Sequence, residues 1–176
     1  VTATAFALGA IGAGVAAGVL LAMLGSLLPG GSLWRSLALG AACCCAVLYD
    51  ATPLRNRIPS MKRQVNEDWM ARYRGWVYGA AFGAQLGVGV ATIVTSAAIY
   101  AAVAAAFLSG QAGVGAAVGA TFGAVRALSL LPARRVHDGE SLRRLHRRFG
   151  ALEAPVRRAT PVAECVLALL VIGWVS

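Results

Sequence analysis

Acidic residues are scarce in this sequence, with seven Asp and Glu among 176 residues. Lysine is nearly missing, Lys62 being the only one, and charged residues together make up 13%. That is about half the share of a soluble domain. Histidine occurs only as His137 and His146, and cysteine only as Cys43, Cys44, Cys45 and Cys165, with no C-x-x-C and no spaced Cys/His set. These shortages exclude a disordered chain, a coiled coil and most soluble enzymes. They also argue against structural zinc and a disulfide scaffold, so no metal is expected. No serine triad, paired catalytic carboxylates or P-loop stands in the sequence, so neither an enzyme nor a cofactor is expected.

What fills the space is apolar and small. Hydrophobic residues reach 59%, with 37 Ala and 21 Gly, against roughly 45–50% apolar residues in soluble domains. Five apolar runs are long enough to cross a bilayer, which takes about 20 residues. They cover about 4–28, 33–49, 76–108, 111–131 and 160–175. The fold class this predicts is all-α: a polytopic helical bundle of five transmembrane helices in one membrane domain, 1–176. The first run lacks a basic segment before Thr4 and is too long for a signal peptide, so it reads as a permanent span.

The net charge of +9 raises nucleic acid as a partner, but its placement argues otherwise. Fourteen of the 16 Lys and Arg fall in two segments, 50–75 and 132–158. Positive loops mark the cytoplasmic side. The reading is a bacterial cytoplasmic (inner) membrane protein, N-terminus cytoplasmic and C-terminus outside. No nucleic acid is expected, and the Arg- and Ala-rich composition fits a GC-rich bacterial genome. Trp76 and Tyr78 fit an inner aromatic belt, and Trp34 and Trp174 an outer one.

Shifting the chain by 79 residues lays Gly31 on Gly110, Gly40 on Gly119, Pro53 on Pro132 and Arg55 on Arg134. With one gap upstream, Phe6, Gly12, Gly14 and Val15 match Phe82, Gly87, Gly89 and Val90. This suggests two parallel copies of a two-span hairpin, an arrangement transporters use. Glycine also recurs as Gly9, Gly12, Gly14 and Gly18 in the first run, Gly79, Gly83, Gly87 and Gly89 in the third, and Gly115, Gly119 and Gly123 in the fourth, with spacings of four among them. Such stripes let helix backbones approach closely.

Three features carry chemistry. Residues 59–76 read as an interfacial helix, with Met61, Val65, Trp69 and Tyr73 as an apolar stripe. Glu67 and Asp68 can pair with Arg63 and Arg72 at a spacing of four. With Trp76, these residues either hold the bundle at its depth or dock a partner. Residues 141–149 read as a basic amphipathic helix with Leu142, Leu145 and Phe149 on one side. Its expected partner is anionic inner-leaflet lipid.

The third feature is a polar layer. Arg126 and Glu164 stand about six and four residues inside their runs, roughly 6–9 Å below the inner surface. Ionisable residues in spans face the bundle and pair, so the two are expected to pair. Gln85, Thr92, Thr95 and Ser96 add polar groups to the third run. The cysteines are ordinary packing residues or a redox set, of which at most one or two of Cys43, Cys44 and Cys45 can meet Cys165.

The stretch 78–92, with its Phe82-Gly83 start, Gly87-Val88-Gly89 and Thr92, resembles a span of the DsbD/CcdA family of inner-membrane proteins. That family carries reducing equivalents across the membrane with two intramembrane cysteines. Its Pro-Cys pairs are absent here and its six spans form inverted halves, so no catalytic residue carries over.

Three functions follow as expectations. The first is a small transport protein, or the membrane component of a transport system, with its site near Arg126 and Glu164. The second is a non-catalytic subunit or scaffold of a larger membrane complex. The third is a transmembrane thiol redox carrier. A homodimer is compatible with each.

Overall fold

The computed structural model describes residues 2–52, 74–89, 96–129, 132 and 138–173. Within these residues the regular structure is helical throughout: α1 (Thr2–Ser26), α2 (Ser32–Ala51), α3 (Gly75–Val88), α4 (Ala98–Ser109), α5 (Ala112–Ser129) and α6 (Gly139–Gly173). Helices α1 and α2 are long and apolar enough to cross a membrane, and α4 and α5 are shorter apolar helices.

Helix α1 is the hub. It packs against α3, α4 and α5, while α2 packs against α4 and α6. Its contact stripe is Phe6, Ala10, Gly14, Gly18, Ala22 and Gly25, all buried at helical spacing. On α5, Gly119 meets Gly14 and Gly115 meets Gly18. A Cβ on any of these four would collide with the facing backbone carbonyl. The residue numbers run oppositely, so α1 and α5 are antiparallel. On α3, Gly79, Gly83 and Gly87 meet Thr2, Phe6 and Ala10. Here the numbers rise together, so α1 and α3 are parallel. Phe6 and Phe82 close this seam with ring centroids 5.7 Å apart. Not every glycine belongs to it, because a Cβ on Gly12 would meet open space.

The result is inside out relative to a water-soluble domain. The buried apolar residues are mostly small, as in Ala10, Ala22, Ala46 and Ala106, while Leu8, Leu27, Leu37 and Leu48 stand more than 60% exposed. Soluble proteins bury their Leu and Ile. Here small residues hold the helices together and large ones cover the outside, as in helix association within lipid.

Two expected elements come out differently. The run 76–108 is not one helix. Gly89 takes a left-handed conformation (φ 76°) and ends α3, its N–H donating to the Leu86 carbonyl at 3.1 Å. Left-handed backbone suits glycine and stops a helix. Helix α4 then starts at Ala98 and also runs parallel to α1, with Phe107 against Gly25. Counting back at 1.5 Å per residue, Ala98 stands level with about Ala16, so the break lies beside the middle of α1.

The second difference is α6. The expected basic helix at 141–149 is helical, but instead of ending before a separate span from 160 it continues as one helix through Pro155 and Pro161. Each proline removes one backbone hydrogen bond, and the surrounding Arg, Leu and Ala favour helix enough to carry it on. At 35 residues, α6 is about 52 Å long. It starts at a reciprocal cap. Ser141 N–H donates to Asp138 Oδ1 at 2.6 Å, and Asp138 N–H donates back to Ser141 Oγ at 3.2 Å. Hydrogen bonds from the Ser141 amide and hydroxyl, and from the Glu140 amide, hold the exposed Asp138 carboxyl below its ordinary value. The end of α1 is closed by Arg35 of α2, which donates to the Gly25 and Leu28 carbonyls at 3.2 and 2.8 Å.

Candidate functional site

The break between α3 and α4 creates two helix ends inside the bundle. The first four N–H groups of a helix have no partner within it and carry partial positive charge. At α4 those groups meet Asp50, from the last turn of α2. Asp50 Oδ1 accepts the Ala97 N–H at 3.0 Å, and Oδ2 accepts the Ser96 hydroxyl at 2.5 Å. Ser96 Oγ in turn accepts the Ala98 N–H at 3.1 Å. A carboxylate from one helix therefore caps another, across 47 residues of sequence.

Glu164 of α6 comes to the same place. Its Oε1 lies 3.5 Å from Ser96 Oγ. Only 6% of Asp50 and 5% of Glu164 is exposed. Two carboxylates from different helices thus converge on one serine at the start of a third. The Cys43 thiol lies buried within electrostatic reach of Glu164. Burying a carboxylate is costly unless it is hydrogen-bonded or matched by charge. Chains keep such groups where they bind something or hold a fold in register.

The opposite end of the break has the opposite character. The C-terminal end of α3 carries partial negative charge. A Cβ on Gly89 would lie 3.2 Å from the Phe122 ring of α5, and the Arg126 guanidinium carbon sits 5.0 Å from that ring's centroid. An Arg–Phe stack therefore stands by the negative helix end, and the two carboxylates stand by the positive one.

Arg126 and Glu164, expected to pair, lie on α5 and α6; α5 packs on α1, and α6 packs on α2. Gln85 is half-buried on α3, and Trp76 is exposed in the first turn of that helix. Cys44, Cys45 and Cys165 are exposed, and all four cysteines are free thiols. Thr92, Thr95, Arg63, Glu67, Asp68, Trp69 and Arg72 lie outside the described residues. Among the described residues no group of three His, Cys, Asp or Glu could hold a metal ion.

Asp50 is the site residue that sequence reasoning missed. It reads there as the polar end of a short apolar run. The available signal was its sign, since it is an acid without a neighbouring base at the edge of a segment rich in Arg.

An open groove of about 300 Å³ runs beside this corner between α2 and α4, walled by Ala42, Cys45, Ala46, Tyr49, Ala97, Tyr100 and Ala101. No protein-family model, curated protein or solved structure matches the chain.

Proposed function

We propose that this chain is a small bacterial inner-membrane transport protein, or the membrane component of a transport system. It crosses the bilayer five times, with its N-terminus in the cytoplasm. The observation that carries this reading is the interrupted helix α3–α4, with Asp50 and Glu164 buried at its inner N-terminus. Discontinuous helices are how transporters present backbone and charge to a ligand at mid-depth. The helix directions support the five crossings. Runs one and three are parallel and run four is antiparallel to them, as alternate crossing requires. Run two is antiparallel to run three, since Arg35 lies by Gly110 and Asp50 by Ala97. The inside-out packing supports a lipid surround. The basic half of α6, outside the apolar runs, then stands on the cytoplasmic side.

Two carboxylates suit a cationic species, either a proton or a monovalent cation. Solid-supported-membrane recording on proteoliposomes tests this. Jumps in H⁺, Na⁺ or K⁺ concentration are expected to give a transient current with at least one of them. The current should vanish in Asp50→Asn/Glu164→Gln and persist in Glu140→Gln. Folded protein silent to all three ions contradicts the reading.

A second reading, a subunit that docks a larger partner, draws on α6. Leu142, Phe149, Leu152 and Val156 recur at spacings of seven, three and four, and each is about half exposed. Co-purification of a stoichiometric second protein through this stripe would favour it.

A further inference from the structure

The groove between α2 and α4 has a composition that the carboxylate pair alone does not explain. Its walls are the small residues Ala97 and Ala101 of α4, Cys45 of α2, and two tyrosines, Tyr49 and Tyr100, one from each helix. At about 300 Å³ it matches the lower end of small-molecule sites, roughly 300–1,000 Å³. The polar corner lies behind one of its walls. Tyr49 is the chain neighbour of Asp50, and the N–H of the wall residue Ala97 donates to the Asp50 carboxylate at 3.0 Å. Glu164 lies one residue further along, at Ser96. An occupant of the groove therefore touches aromatic and aliphatic surface, while negative charge stands directly behind the wall.

We infer that this groove binds a lipophilic monovalent cation, with its apolar body between Tyr49 and Tyr100 and its charge toward Asp50 and Glu164. Three features argue for that class. The walls are almost wholly apolar, so a strongly hydrated ion gains nothing by entering. Two tyrosine side chains offer a large apolar surface to the body of an aryl or alkyl ammonium ion. The carboxylates select positive charge over negative, and in a low-dielectric bundle that selection acts across a layer of side chains. A neutral lipid chain shares the apolar fit but has no use for the charge. The inference deepens the transport reading by naming a ligand class, and it rests on that reading only for its membrane setting.

The test is equilibrium binding of radiolabelled phenyltrimethylammonium to the full chain in nanodiscs. The neutral competitor is tert-butylbenzene, which has the same shape without the charge. Saturable binding is expected, with tert-butylbenzene at least about tenfold weaker as a competitor. Tyr49→Ala and Tyr100→Ala should each weaken binding by up to about tenfold. Asp50→Asn and Glu164→Gln should weaken it and erase the preference for the charged probe. Because Asp50 also caps α4, Ala101→Phe provides a variant that fills the groove and leaves both carboxylates alone. It should abolish binding. No saturable binding, equal competition by tert-butylbenzene, or binding untouched by Ala101→Phe would each overturn the inference. The two readings fail separately. Binding without currents leaves the groove assignment standing and removes transport, and currents without binding do the reverse.

Discussion

The seam of α1 with α3 and α5 and the corner of α2, α4 and α6 are built by opposite means. The seam is mostly glycine and alanine, closed by the Phe6–Phe82 ring pair. Gly14 and Gly18 lie on Gly119 and Gly115, backbone against backbone. The corner holds Asp50, Ser96, Glu164, Cys43 and two tyrosines around a groove. Close backbone packing leaves no room for a ligand and no freedom to shift. A polar corner with an interrupted helix costs stability and leaves both space and unused backbone charge. The comparison teaches that the seam is the frame and the corner is the working part.

The largest effect expected on this contrast is at the seam. Gly18→Leu places a side chain into the Gly115 carbonyl, which can yield only if α1 and α5 separate. A loss of about 3 kcal/mol or more is expected. Gly12→Leu, which enters open space, should cost little. Thermal unfolding in matched detergent reads both. A seam tolerant of Gly18→Leu would break the distinction.

A smaller effect is expected at the corner. Asp50→Ala removes the acceptor for the Ala97 N–H and the Ser96 hydroxyl, at a cost of about 1–2 kcal/mol. Hydrogen exchange at Ala97 and Ala98 should quicken while exchange in α1 stays slow. Asp50→Asn retains one acceptor, so it should lose ion response with less loss of stability. Away from both regions, Arg35→Ala frees the Gly25 and Leu28 carbonyls and should cost about 1 kcal/mol, seen as faster exchange at the end of α1.

The smallest effect is the pH response of the α6 cap. The Ser141 hydrogen bonds hold Asp138 below its ordinary 3.8. A carboxyl held down in the fold adds stability that is full above the ordinary value and lost as pH falls through the lowered one. Exchange at the Ser141 amide, corrected for its intrinsic pH dependence, should therefore lose protection only below about pH 4. Asp138→Asn should flatten that response.

Much of the frame could be read from residues alone. Glycines at spacings of four on the first, third and fourth runs do meet across helices, at Gly14, Gly18, Gly83, Gly87, Gly115 and Gly119. Spacing is local information, and a helix face is a local property. The corner was less legible. Gly89 breaks the third run, yet glycine is so common here that one left-handed position leaves no mark in composition. Asp50 and Glu164 reach Ser96 across 46 and 68 residues, and only tertiary packing decides that both are buried. Pro155 and Pro161 mark helix ends in most sequences, and here the helix runs through both.

The central claim is that Asp50 and Glu164 meet at the start of α4. Cysteine cross-linking in native membranes tests it most directly. In a background with Cys43, Cys44, Cys45 and Cys165 changed to Ser, the pairs Asp50→Cys/Ser96→Cys and Ser96→Cys/Glu164→Cys should form disulfides rapidly under mild oxidation. The pair Gly31→Cys/Glu164→Cys, with Gly31 about 28 Å along α2 from Asp50, should not. Ser96 pairs that both stay open would contradict the account.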